Sequence, residues 1–218
     1  MPMIVRKIDF PQRMTKFLLH RLDELREQYG ETSAEYLALA KQYIYEDAED
    51  QHTEEHNAKH YEANVLVEGG KNVERLYQHH CCIELAFNCL SNCRYCLRSN
   101  YDRFTLTEAQ MDANVEYLQS IDAEEVLLTG GDPFLNLKRL RIFTDKIVEK
   151  VPSMRVIRIA TRVFTQDPAL ISNDLITFLQ KLNERIRVEV ATQINSAVEL
   201  ECDEVQQAFQ KVRNLGIP

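Results

Sequence analysis

Three cysteines on one short run, Cys89, Cys93 and Cys96, have the spacing C-x3-C-x2-C. Thiolates are the ligands of iron–sulfur clusters, and three on a tight loop can grip three irons of a cubane while the fourth stays open to a substrate or cofactor. Structural zinc usually takes four ligands in two close pairs, so a zinc site here must recruit Cys82 or Cys202, whose spacing does not help. Five of the six cysteines (81, 82, 89, 93, 96 and 202) fall within sixteen residues. That concentration points to metal binding or catalysis rather than to a secreted disulfide scaffold. Cys81, Cys82 and Cys202 read as buried free cysteines, which behave as small hydrophobes. A second run, Leu128, Thr129, Gly130, Gly131, Asp132 and Pro133, closes an apolar stretch. Two glycines let a backbone approach a ligand closely, while Asp132 and Pro133 also read as the N-cap and first residue of a helix.

The elements that must hold these runs alternate in kind. Residues 81–87, 125–129, 156–161 and 188–192 are short β-rich runs, and residues 107–119, 135–150, 169–183 and 201–214 read as helices. The second, third and fourth runs start about 31 and 32 residues apart, the repeat of βα units in a parallel sheet or barrel. The expected fold is α/β, a partial (β/α) barrel of about four units with an N-terminal helical region. Residues 1–75 form that region with an acidic linker, and residues 76–218 form the barrel. At 218 residues the chain is shorter than the roughly 250 of an eight-fold barrel. Leu215, Gly216, Ile217 and Pro218 read as a turn into another strand, so the barrel is expected to be incomplete at its C-terminus and the isolated chain catalytically incomplete.

In the N-terminal region Met14, Leu18, Leu22, Leu25 and Tyr29 recur at helical spacing up to Gly30. Tyr36, Leu37, Ala40 and Tyr43 mark a second helix after Thr32 and Ser33. Their apolar stripe is expected either to make subunit contacts or to pack outside the barrel. Residues 46–62 carry seven acids against one lysine, −6 of the net charge of −8, and this charge balance argues against nucleic acid as a partner. His52, His56 and His60 in that stretch read as a solvated helix face or linker. No apolar run reaches the roughly 18 residues of a membrane helix, and the start lacks a signal-peptide core, so a cytosolic protein is expected.

Strand phase gives the faces. Glu84, Ala86 and Asn88 share one side; so do Arg158, Ala160 and Arg162, and Glu189, Ala191, Gln193 and Asn195. A polar, small inner face suits an open barrel with a wet, ligand-filled lumen. Arg162 and Gln193, near the strand ends, are expected to touch a cofactor or substrate.

With Tyr95 at the aromatic position, the cysteine run resembles the C-x3-C-x-aromatic-C pattern of the radical S-adenosylmethionine (SAM) superfamily. The resemblance implies a [4Fe-4S] cluster on Cys89, Cys93 and Cys96, whose open iron chelates SAM. Reductive cleavage of SAM then yields a 5′-deoxyadenosyl radical. It also implies that Gly130, Gly131 and Asp132 bind the SAM amino group, with help from Tyr95. Within the superfamily, Cys96-Leu97-Arg98, the Gly-Gly-Asp run, Ile157 through Arg162, and Thr192-Gln193-Ile194-Asn195 resemble the lysine 2,3-aminomutase family in order and kind. That resemblance implies that Arg98 holds the substrate carboxylate, for which a guanidinium fork is suited.

The implied function is an isomerase moving an amino group on an amino acid. The implied partners are that amino acid and a reductant such as flavodoxin or ferredoxin. Pyridoxal phosphate is implied too, bound by a lysine in a glycine-rich segment that this sequence does not contain, and the Thr192 to Ser196 run lacks the family's usual histidine. Radical SAM chemistry on another amino acid or a peptide without pyridoxal phosphate, and a non-catalytic zinc-binding protein, remain as alternatives.

Overall fold

Polar residues with short side chains begin the N-terminal helices. In this computed structural model, which describes residues 11–47, 49, 72–96 and 105–218, helix α1 (Lys16–Tyr29) starts where Thr15 accepts the Leu18 N–H, and Gly30 ends it at φ 87°. Ser33 caps α2 (Ala34–Ala40) in the same way. Arg98, residues 50–62 and the three histidines lie outside the described residues. Leu18, Leu22 and Leu25 of α1 are buried with Leu39, Ala40, Tyr43 and the distant Val198, and Cys93 packs against this cluster. Burying each leucine contributes roughly 1.5–3 kcal/mol. The apolar stripe therefore docks on the cysteine loop and on the chain after the last strand.

The sheet has five strands in sequential order: β1 (Val73–Tyr77), β2 (His80–Ala86), β3 (Glu125–Gly130), β4 (Val156–Ala160) and β5 (Arg187–Ala191). β1 pairs antiparallel with β2, and every later pair is parallel. β1 crosses residues 75 and 76, so sheet pairing begins before the expected start of the barrel. The crossovers carry α3 (Glu108–Ser120), α4 (Leu137–Lys150, after a 3-10 turn Pro133–Asn136), a short α5 (Val163–Gln166) and α6 (Asn173–Asn183). α7 (Asp203–Arg213) follows β5. α6 begins later than the hydrophobic pattern suggests, because Pro168 sits in a separate 3-10 turn and Ser172 supplies the cap.

One core lies between the sheet and these helices. Ile83, Leu85, Val126, Leu128, Ile157, Ile159 and Val188 face it and are fully buried. Leu140, Phe143, Phe164 and Leu179 pack from the helices. The other face is polar, as the phase argument requires: Arg158 bridges Glu125 and Glu189 at 2.7 Å each, linking three strands. Beyond β5, the Val190 N–H donates to the Pro218 carbonyl at 3.1 Å. Among the described residues no helix is long and apolar enough to cross a membrane.

Candidate functional site

β2 ends in a register irregularity between Glu84 and Ala86, and the chain leaves it into the cysteine loop. Bulges at strand ends re-aim the chain, often beside functional sites. The parallel strands bring the end of β3 next to this exit. The Gly131 N–H donates to the Ala86 carbonyl, and the Asp132 N–H donates to the Asn88 carbonyl at 2.7 Å. A side chain at either glycine would collide: a Cβ on Gly130 would meet the Ala86 oxygen at 2.5 Å, and one on Gly131 the Asn88 nitrogen at 2.4 Å. Gly130 also has φ 114°, which an L side chain rarely adopts. The close approach that the two glycines permit is thus to the chain's own cysteine loop, and the same residues line the cavity beside it.

That cavity has a volume of about 540 Å³ and opens at the C-terminal ends of β3, β4 and β5. Cys89, Cys93 and Cys96 all border it, with Tyr95, Gly130, Gly131, Asp132, Arg162 and Gln193. All three cysteines are free thiols. Burial pushes the Cys89 thiol up to about 12, with the nearby Asp132, Cys96 and Cys93 adding to the effect. Burial raises Cys93 as well, against the opposing pull of Arg162. A metal that binds a thiol must displace its proton.

The N-terminal helices clamp the loop from outside. The Asn92 N–H donates to the Arg13 carbonyl, its side chain donates to the Pro11 carbonyl, and Ser91 Oγ accepts the Thr15 N–H. The Arg94 N–H donates to the Gln42 carbonyl. The buried Arg94 guanidinium forks onto Glu49 and stacks over the Tyr45 ring.

Asp132 caps the 3-10 turn by accepting the Phe134 N–H. Its carboxylate also accepts the Thr161 hydroxyl and the Arg162 N–H at 2.8 Å each, tying the end of β3 to the end of β4. It is 4% exposed. Desolvation pushes its pKa up to about 6 despite these donors. The oxygens expected to serve a SAM amino group are therefore engaged inside the fold.

Arg162 points at the cysteine loop. Its guanidinium donates to Cys93 Sγ at 3.4 Å, to the Tyr95 hydroxyl, to Gln42 Oε1 at 3.1 Å and to Glu199, and it lies over the Tyr43 and Tyr95 rings. Gln166, fully within the fold, donates to the same Cys93 sulfur at 3.3 Å. Gln193 is exposed on the cavity wall and donates to Asn195. Sequence reasoning misses Gln42, Gln166 and Glu199; no local pattern marks the two glutamines, and the one local signal at Glu199 is its capping box with Ser196, which marks a turn rather than a site.

The donor set bordering the cavity is three thiols, the ligand type of iron–sulfur clusters. In addition, Arg162 Nε and Thr192 Oγ1 are buried without partners, and both residues line this cavity. Buried polar atoms are nearly always paired, so orphans on one wall mark where a polar ligand fits.

A family model described as a 4Fe-4S single cluster domain matches residues 80–197, more than half of the chain. The chain belongs to the 4Fe-4S single cluster domain family. The matched span runs from the first residue of β2 through the cysteine loop to the turn after β5, so it carries every described cavity residue named above. The family member is also similar to curated L-lysine 2,3-aminomutases. That of Buchnera aphidicola subsp. Baizongia pistaciae is 29% identical over 157 residues, covering 71% of this chain and 44% of the relative. That of Acetoanaerobium sticklandii is 31% identical over 134 residues, covering 60% and 31%. That of Bacillus subtilis is 28% identical over 134 residues, covering 60% and 28%. The chain thus spans less than half the length of these relatives, and the resemblance read from its motifs is borne out by them.

Proposed function

We propose that this family member is a radical SAM enzyme whose cluster is held by Cys89, Cys93 and Cys96. The observation that carries the reading is the convergence of those three thiols, the Gly130–Gly131 turn and two orphaned polar atoms on one cavity at the ends of parallel strands. When bound, the cluster and SAM would supply one-electron reductive cleavage to a 5′-deoxyadenosyl radical.

The chain's own residues prepare that chemistry. Gly130 and Gly131 bring the β3 turn against the cysteine loop and leave backbone rather than side chain on the cavity wall. Tyr95 offers a half-exposed ring whose hydroxyl is held by Arg162. Thr192 and Arg162 present unspent donors to a polar ligand. The α1–α2 cluster covers Cys93 and keeps water from one side of the site. Gln193 stands where SAM or substrate would pass, and Arg98 takes the substrate carboxylate.

The finer reading is amino-group migration on an amino acid, with pyridoxal phosphate as a further cofactor and an electron donor of the flavodoxin or ferredoxin type. Its support is the likeness to proteins named L-lysine 2,3-aminomutase.

The test is anaerobic reconstitution of the 218-residue chain with iron and sulfide, then dithionite reduction and SAM addition followed by electron paramagnetic resonance. Equal iron and sulfide incorporation, a reduced-cluster signal and a change of that signal with SAM are expected. A single bound ion without sulfide overturns the reading, and so does a cluster whose signal ignores SAM.

A further inference from the structure

We propose that Arg162 and Gln166 set the reduction potential of the bound cluster by donating two N–H···S hydrogen bonds to one thiolate, that of Cys93. This rests on the cluster reading above and adds to it a role for two residues, one of them unmarked by any motif.

The two donors are built as a pair. Arg162 precedes α5 and Gln166 ends it, and the Gln166 N–H donates to the Arg162 carbonyl at 3.1 Å, so the side chains lie one turn apart on the same helix face. Both reach Cys93 Sγ, at 3.4 and 3.3 Å. Neither side chain is free to swing away. Gln166 is 2% exposed, and its backbone carbonyl accepts the Thr15 hydroxyl. Arg162 is held between the Tyr43 and Tyr95 rings, with Glu199 and Gln42 accepting its other nitrogen. Cys89 has no side-chain hydrogen bond among the described residues and instead faces the field of Asp132.

One-electron reduction adds a single negative charge shared by the irons and their sulfurs, with no bond made or broken. The electron comes from a one-electron reductant. A donor aimed at a thiolate sulfur stabilises the reduced form more than the oxidised one, and hydrogen bonds to the sulfurs are a main lever on cluster potential. Burial enlarges the effect because little water screens it. The Arg162 charge is matched by Glu199, so the pair contributes direction at the sulfur while leaving the net local charge unchanged.

The experiment is a potentiometric titration of the reconstituted cluster, followed by electron paramagnetic resonance, in the full chain. Gln166→Met keeps the length and removes the N–H. The paired variant R162Q/E199Q keeps the net charge and removes the charge-assisted donor. Each is expected to lower the potential by the equivalent of about a tenfold weaker reduction equilibrium, about 59 mV for one electron, with a shifted iron–thiolate stretch in resonance Raman spectra. Thr165→Val, a buried neighbour on α5 without a bond to sulfur, is expected to leave the potential in place. Either donor variant retaining the wild-type potential with a full cluster overturns the proposal, as does an equal fall in Thr165→Val. Failure of the wild type to take up iron and sulfide would instead defeat the cluster reading itself.

Discussion

A Cβ placed on Gly131 would sit 2.2 Å from the carbonyl oxygen of Asn88, one residue before the first cysteine of the loop. Backbone meets backbone there, so no side chain can swing aside. Gly131→Ala is expected to push the cysteine loop away from β3, at a cost of about 1–3 kcal/mol for forced packing. Iron and sulfide content after reconstitution should fall with little change in helix content by circular dichroism. Full cluster content would show that the loop tolerates the displacement.

Serine in place of Cys89, Cys93 or Cys96 is expected to abolish the intact cluster in each case, because no other cysteine borders the cavity among the described residues. Cys81→Ala and Cys202→Ala are expected to keep it. Cys81 faces the main core, and Cys202 donates to Glu204 at the start of α7. Visible absorption together with iron and sulfide analysis separates the two groups.

Glu199 holds four donors at once: Arg162, Gln42, and the backbone N–H groups of Asn195 and Ser196. Removing one partner of a buried ion pair typically costs about 3–5 kcal/mol, because the other charge is stranded. Glu199→Ala is expected to lose stability of that order in urea titration. The paired variant R162Q/E199Q should lose less, since neither member then leaves a bare charge behind.

Asp132 gives a pH dependence of definite sign. Its pKa is raised from the ordinary 3.8 to about 6 by desolvation. The folded state therefore binds this proton more tightly than the unfolded chain does. The stability so gained is fully present below pH 3.8 and is lost as pH rises through 6. Two units correspond to a loss on the order of 3 kcal/mol. Asp112, Glu189 and Glu204, whose pKa values are lowered, act in the opposite direction. The comparison must therefore be with Asp132→Asn: its stability, measured by urea unfolding of the metal-free chain from pH 4 to 7, should lack the downward component seen in the wild type. Parallel curves would refute the assignment.

The crossover units are readable from the sequence because each follows a short apolar strand run with a helix, two of them opened by a polar cap: Thr107, with its capping box on Gln110, and Ser172. The cysteine loop is readable because thiol spacing is chemical rather than conformational. β1 escapes notice. Val73 and Glu74 are both nearly buried, so the strand lacks the alternation that marks one wet face. Gln166, Gln42 and Glu199 escape for a different reason: the contacts that bring them to the site, Gln166 with Cys93, Gln42 with Arg162 and Gln42 with Glu199, span 73 to 157 residues, and nothing in the local pattern records such pairings. The two glycines are visible but ambiguous, since a close backbone approach looks the same in sequence whether the neighbour is a ligand or the chain itself.

The docking of α1 and α2 on the cysteine loop carries a thermodynamic obligation. Arg13, Thr15, Gln42 and Glu49 grip the segment whose cysteines must be held still for a cluster to bind. If the helices tighten the loop's hold on iron by some factor, iron must tighten the helices' hold on the loop by the same factor. Loading the cluster should therefore slow amide exchange in Leu18, Leu22 and Leu25, on the far side of the clamp, by the ratio in which undocking them weakens the cluster.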